Sequence, residues 1–187
     1  MPRNNAAAHA ARCFALALTL ALTTAAQTTS TEGGFANPQG SPLRIISETM
    51  NNTDLCAHVS FLNVSNRPIL RAKLGWIVAD AQNSSHAVPF LGTPFDLNLA
   101  PGGIEDVGRQ GATVSVVRET LEKLGTTHGT LTVGVVYVKF QDGSEWSYPL
   151  AQKRAFGPDA PLPEQFAPAV SQFIEQRAHA AAPPSAH

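Results

Sequence analysis

Residues 136–148 read VYVKFQDGSEWSY, a stretch that predicts two antiparallel strands joined by a tight loop. Apolar and polar side chains alternate on both sides of Asp142-Gly143, as they do in a hairpin with one buried face. Glycine readily adopts the left-handed backbone that such a loop needs. The stretch therefore predicts a β-rich domain, and the loop length decides which side chains are buried.

Two registers are possible for this hairpin. A two-residue loop would place Trp146 on the same face as Lys139. A three-residue loop over 141–143 places Trp146 opposite Val138 on the apolar face, with Lys139 opposite Glu145 on the outer face. Burying the indole is worth about 2 kcal/mol, whereas an exposed ion pair adds only tenths. The sequence therefore predicts the three-residue loop.

The same alternation recurs through the preceding hundred residues. Residues 69–79 (ILRAKLGWIVA) place Trp76 on an apolar face and Arg71 and Lys73 on the other. Pro89 and Pro94 suit an edge strand, since proline cannot donate to a sheet ladder. Further strands are predicted over 43–50, 55–64, 88–99, 104–117, 130–140 and 144–150. The predicted fold class is mainly β, a single antiparallel immunoglobulin-like sandwich.

Two short helices interrupt this pattern. Residues 118–124 (RETLEKL) are helix formers that end at Gly125. In the tail, apolar residues recur at helical spacing, which predicts an amphipathic helix within 164–181; they are Phe166, Val170, Phe173 and Ile174. The predicted organisation is a signal peptide over 1–26, a flexible spacer over 27–42, the sandwich over 43–156, and a Pro/Ala-rich tail over 157–187.

The first 26 residues are typical of a secretory signal peptide. Arg3 and Arg12 precede an apolar run, and small residues stand before Gln27 as in a cleavage site. The predicted location of the mature chain is therefore periplasmic or extracellular, with no stable membrane insertion after cleavage. An uncleaved N-terminal anchor is the alternative.

Charge and cysteine content restrict the class of protein further. The chain has 13 basic and 14 acidic side chains, and cleavage would remove two of the basic ones. A mildly acidic chain without a basic stripe does not fit nucleic-acid binding. Cleavage would also leave Cys56 as the sole cysteine, which excludes an intramolecular disulfide. Stability must then come from packing.

Part of the chain resembles the FxLYD-type group of exported bacterial immunoglobulin-like domains. The resemblance covers 43–156 and rests on the strand–turn–strand 59–69, the strand ending at 76–80, the 99–103 turn and the hairpin 140–146. The literal F-x-L-Y-D string is absent from this chain. The resemblance implies an extracytoplasmic binding or spacer module and transfers no catalytic residue.

The sequence contains no motif typical of a catalytic site. No G-x-S-x-G pentapeptide is present, and a serine beside His86 in the run 84–86 is not a triad. Cys56 and His58 share a strand face, but two ligands do not complete a zinc site. Three sequons begin at Asn51, Asn63 and Asn83.

Two surface features were weighed as binding sites. Asp96, Glu105 and Asp106 flank the 101–103 turn as possible calcium ligands, without the spacing of a calcium loop. Tyr137 should point outward with Lys139, either as an ordinary sheet surface or as a sugar platform. No catalytic, cofactor-binding or metal residue is therefore assigned, and no cofactor is expected.

The sequence thus predicts an exported, non-enzymatic immunoglobulin-like binding or structural module whose partner is an unknown protein or envelope component. One alternative is a small extracytoplasmic enzyme whose site is built from loops. Another is an envelope-complex subunit that docks through its C-terminal helix, which would leave Phe166, Val170 and Phe173 exposed.

Overall fold

The computed structural model describes residues 30–50, 56–111, 114–150 and 155–181; the predicted signal peptide lies outside them. Nine strands and two helices account for most of this part of the chain. The strands are β1 Ser30–Ala36, β2 Leu43–Met50, β3 Cys56–Asn63, β4 Ile69–Asp80, β5 Ala87–Leu91, β6 Phe95–Leu99, β7 Ile104–Gly111, β8 His128–Phe140 and β9 Glu145–Ser147. The helices are α1 Val114–Leu124 and α2 Ala167–Ala181, the second preceded by a 3-10 turn, Glu164–Phe166.

The strands form two sheets. In the six-stranded sheet, β8 and β4 are central; β1 and β9 share the far side of β8, and β5 and β6 share the far side of β4. The other sheet has the order β2-β3-β7. The chain crosses between sheets from β1 to β2, from β3 to β4, from β6 to β7 and, through α1, from β7 to β8. The strands thus form two sheets with a shared core, and the predicted mainly β fold class is confirmed.

One core lies between the sheets. Phe61 of β3 and Phe95 of β6 come from opposite sheets, and their ring centroids are 5.7 Å apart. Trp76 is only 3% exposed within this core, and the half-buried Trp146 packs against it. Side chains from both layers are fully buried here, so the period-two alternation predicted the interior correctly.

The hairpin adopts the predicted register. Val138 lies opposite Trp146 and Lys139 opposite Glu145. The loop closes where the Gly143 N–H donates to the Phe140 carbonyl at 3.1 Å. Gly143 has a φ of 83°, which a side chain would oppose. Both the three-residue loop and its left-handed glycine are confirmed.

The predicted spacer over 27–42 is wrong from residue 30 onward. Ser30–Ala36 forms β1, which pairs in parallel with β8, so the larger sheet is mixed and not wholly antiparallel. Asn37, which follows β1, is only 6% exposed. Its side chain accepts from the Ile45 N–H at 2.7 Å and donates to the Ile45 carbonyl at 2.9 Å. Residues 30–37 therefore connect the two sheets, although their polar composition is typical of a flexible spacer.

Strand β4 departs from simple alternation at its start. A bulge leaves Leu70 without a directly opposite partner, so Ile69 is buried and Leu70 is 38% exposed. Further along, Ile77 is buried on the outer face, where it joins a second cluster with Val136 and Leu150. The predicted half-buried strand is thus buried on both faces in its later part.

A helix replaces the end of another predicted strand. The strand predicted over 104–117 ends at Gly111, and α1 begins at Val114, four residues earlier than predicted. Val117 and Leu121, four apart, both enter the core. The predicted helix end is confirmed, because Gly125 follows Leu124 with a φ of 74°.

Residues 155–181, which we call the C-terminal strap, pack on the sandwich. Asp159 Oδ1 accepts from the Asn37 N–H at 2.6 Å, and Arg44 of β2 donates to the Pro161 carbonyl at 3.3 Å. Arg177 in α2 donates to the buried Ser60 hydroxyl of β3 at 2.6 Å. The predicted C-terminal helix is confirmed, and the strap lies on the outer face of the three-stranded sheet.

Most of the predicted apolar stripe of the C-terminal helix is turned toward this same chain, but Ile174 is 47% exposed. Val170 is 9% exposed, and Phe166 and Phe173 are half-buried. A helix that reserves its stripe for another subunit would leave all three exposed, so the stripe does not support that alternative. Among the described residues, no helix is both long and apolar enough to cross a membrane.

Candidate binding surface

The histidines of the sandwich are exposed and lie far apart in the sequence, and the serine next to His86 forms part of a turn. His58, His86 and His128 are all exposed, on three different segments. The Ser85 hydroxyl hydrogen-bonds to the Asn83 side chain at 2.6 Å, and the His86 N–H donates to the Asn83 carbonyl. These contacts close the β4–β5 turn. The backbone of Cys56 opens β3, but its side chain lies outside the described residues.

The carboxylates weighed as calcium ligands have other partners. Asp96 lies on the six-stranded sheet and pairs with Arg71 at 2.6 Å. Asp106 lies on the other sheet and pairs with Arg177 at 3.4 Å. No three metal-ligating side chains converge anywhere in the described ranges. Asp96 and Asp106 thus lie on different sheets and do not form the possible calcium site considered in the sequence.

The sequons differ in accessibility. Asn63 is completely buried, and its amide donates to the carbonyls of Arg67 and Leu99 at 2.8 and 3.0 Å. Its oxygen accepts from Ser65. This asparagine holds two loops together and is not available for modification in the folded chain. Asn83 is exposed, and Asn51 lies outside the described residues.

The outer face of the six-stranded sheet has a covered half and an open half. Gly75 marks the covered half, since a Cβ there would meet the Leu150 side chain and Val136 Cγ1 at 2.7 Å. The segment after β9 thus crosses the sheet directly over β4. The open half begins two residues away, where Lys73 lies opposite Tyr137.

Four charged side chains form a row across the open half, one from each strand. The register places Lys139 of β8 directly opposite Arg71 of β4. Lys139 faces Glu145 of β9 on its other side, and Arg71 faces Asp96 of β6. The charges therefore run negative, positive, positive, negative across the sheet. Both ends are paired, with Lys139 Nζ 3.8 Å from Glu145 Oε1 and Arg71 Nη2 2.6 Å from Asp96 Oδ1.

The next row contains Tyr137 and Lys73. The Tyr137 hydroxyl donates to Glu145 Oε1 at 2.7 Å, and Lys73 Nζ lies 6.0 Å from the centroid of the tyrosine ring. The hydrogen bond to Glu145 raises the pKa of Tyr137. No carboxylate of the described residues pairs with Lys73. We call Arg71, Lys73 and Lys139 the basic cluster.

The basic cluster carries more positive charge than its flanking carboxylates offset. Arg71 and Lys139 lie directly opposite each other on neighbouring strands, where like charges repel. Lys73 lies diagonal to Lys139 and two residues from Arg71 on the same strand. Two carboxylates flank three cations, which leaves a net positive charge at the centre of the face. An anionic group placed there would relieve this repulsion.

Sequence reasoning anticipated part of this surface. The outward positions of Tyr137, Lys139 and Glu145 are confirmed by their contacts. The sequence indicated Asp96 only as an acidic residue near a turn and a possible calcium ligand. Its pairing with Arg71 depends on the β4–β6 register, which shifts at the Leu70 bulge, and no local pattern in the sequence indicates that shift. No family model, curated protein or solved structure matches this chain.

Proposed function

We propose that this protein is an exported, non-enzymatic immunoglobulin-like module that binds a protein partner through the open half of its six-stranded sheet. The basic cluster carries the proposal. Three cations stand on one face of the sheet, and two of them oppose each other directly. Such an arrangement is complementary to a partner that supplies negative charge.

The other large surfaces support the same assignment because they are used within the chain. The strap lies on the outer face of the three-stranded sheet, and the segment after β9 lies on half of the larger sheet. Edge pairing through β5 is opposed by Pro89. His86 and Gly92 hydrogen-bond to β4 through their backbones, so alternation along the strand directs the backbone nitrogen of Pro89 away from β4. Because proline has no N–H, this edge offers no donor there to a further strand. The open half remains the surface best suited to a partner.

Export is part of the proposal and rests on residues 1–26. A basic segment, an apolar run and small residues before Gln27 fit a cleaved signal peptide. N-terminal mass spectrometry of protein recovered from the native host tests this directly. We expect a mature chain that begins at Gln27; a chain that retains Met1 in the membrane fraction would contradict cleavage.

Capture from the native envelope fraction tests the binding role. Immobilised wild-type protein should retain a partner that the Arg71→Glu/Lys73→Glu/Lys139→Glu variant does not. Lys123→Glu, a charge reversal on the exposed surface of α1, is the matched control and should retain it. Equal retention by wild type and the triple variant would refute the assignment of this face.

A further inference from the structure

We propose that the basic cluster recognises a short acidic polypeptide segment, with one or two carboxylate side chains at its centre. This inference rests on the proposed function and names the chemistry of the partner. The starting observation is the arrangement of charge across four strands. Two carboxylates stand at the edges, two cations stand between them, and Lys73 stands beside the cations.

Lys73 defines where a ligand carboxylate would bind. Arg71 and Lys139 already pair with Asp96 and Glu145. Lys73 has no ion-pair partner among the described residues, and its Nζ lies 6.0 Å from the centroid of the Tyr137 ring. A carboxylate next to Lys73 would also lie near the two opposed cations, because diagonal neighbours in a sheet are about 7–8 Å apart. One such group would offset the repulsion among all three.

The tyrosine does not favour a carbohydrate ligand. Sugar binding by an isolated aromatic ring needs a free ring face, and Lys73 lies over the face of Tyr137. The phenol is also engaged, since it donates to Glu145. The surface therefore offers charge in place of a stacking platform.

The flanking carboxylates disfavour a long polyanion. The outer strands of the row are separated by about 14 Å, three times the spacing between strands. A nucleic acid or an acidic polysaccharide that crosses the face would bring its repeated negative charges against Asp96 and Glu145. A polypeptide with acidic residues at its centre and basic or neutral flanks complements the pattern. The small, flat area implies weak and salt-sensitive binding.

Fluorescence anisotropy with a labelled peptide tests this inference. The probe is an eight-residue peptide with two central glutamates flanked by lysines, and its control replaces both glutamates with glutamine. We expect saturable binding of the glutamate peptide, weakened about tenfold by Lys73→Glu, since a like charge then faces the ligand. Lys73→Arg and Lys123→Glu should bind as the wild type does. Lys73 has no ion pair in the described residues, so its replacement removes none of the existing pairs.

Three results would overturn the inference. These are equal binding of the glutamate and glutamine peptides, unchanged affinity in Lys73→Glu, and tighter binding of duplex DNA or polygalacturonate than of the peptide. Circular dichroism of each variant confirms that the fold is retained. If the triple variant loses its envelope partner while the peptide fails to bind, the surface is correct and its proposed chemistry is wrong. If both tests fail, the proposed function fails as well.

Discussion

Asn37 links three parts of the molecule through a single residue. Its side chain pairs with both backbone groups of Ile45, which completes the free edge of β2 in the way that a neighbouring strand would. Its own N–H binds Asp159, and its carbonyl accepts from Ala160. Each polar group of this buried residue therefore has a partner, as burial requires.

Asn37→Ala should be strongly destabilising. It leaves the N–H and C=O of Ile45 unpaired, and Ile45 is only 1% exposed. We expect a loss of about 2–4 kcal/mol in the free energy of unfolding, measured by urea titration. Asn66→Ala, at an exposed position, is the control and should change stability by less than about 0.5 kcal/mol. Equal stability of the two variants would show that the Asn37 bonds are not formed.

Glu48 makes stability depend on pH. Burial raises the pKa of this carboxyl, and its Oε2 atom has no hydrogen-bond partner among the described residues. The folded state therefore favours the protonated form. The contribution of Glu48 to stability is complete below the pKa of the unfolded chain, about 4.3, and is lost as pH rises through the raised pKa of the folded state.

Glu48→Gln should remove this dependence. Between about pH 3.5 and pH 7, the urea midpoint of the wild type should fall relative to that of the variant, because only the wild type acquires a charge there. Glu122→Gln, exposed on α1, should track the wild type. Parallel midpoints for wild type and Glu48→Gln across this range would contradict a buried, destabilised carboxylate.

At the scale of the element, the hairpin depends on one backbone conformation. Gly143 has a φ of 83° and closes the turn by donating to Phe140. A β-branched residue opposes this conformation, whereas asparagine tolerates it. Gly143→Val should lower the free energy of unfolding by about 1–2 kcal/mol, and Gly143→Asn by clearly less. Thermal unfolding of both variants checks the order; the reverse order would argue against a left-handed residue.

Helix α2 supplies a matched pair of positions four residues apart. Val170 is only 9% exposed, whereas Ile174 is 47% exposed. Val170→Ala should cost about 1–2 kcal/mol through lost burial, and Ile174→Ala less than about 0.5 kcal/mol. Urea unfolding distinguishes them. Equal effects would mean that the helix does not dock on this sheet.

Elements differed in how well the sequence predicted them, for a physical reason. The hairpin register was predictable because a slip by one residue would exchange the faces of Trp146 and Lys139. Strand β1 was not, because its ladder partner is almost a hundred residues away and its own composition is that of a flexible spacer. The bulge at Leu70 also depends on distant pairing. Local sequence patterns therefore predicted the hairpin register, whereas strand β1 and the Leu70 bulge depend on pairing with residues distant in the sequence.

At the scale of the whole molecule, the C-terminal region packs on the sandwich and is part of the folded structure. After β9 the chain crosses the six-stranded sheet at Leu150, passes the β1 end at Asn37, and then lies on the other sheet through Arg177. The two sheets are thereby held from outside as well as through their core. The sequence predicted the strap's helix but not this path, since each anchor pairs residues more than a hundred positions apart.

The candidate surface was predictable only in part at this scale. Alternation placed Arg71, Lys73 and Tyr137 on outward faces from the sequence alone. Their approach to each other depends on the pairing of β4 with β8, and their exposure depends on where the segment after β9 stops covering the sheet. Both are properties of the complete chain.

The central structural claim is that two sheets face each other across one core. Nuclear Overhauser measurements between the rings of Phe61 and Phe95 test it most directly, because these residues come from opposite sheets and their centroids are 5.7 Å apart. In protein labelled selectively at phenylalanine and assigned by Phe61→Leu and Phe95→Leu, we predict a strong cross-peak between the two rings. Its absence in a folded sample, with both rings assigned, would contradict the sandwich.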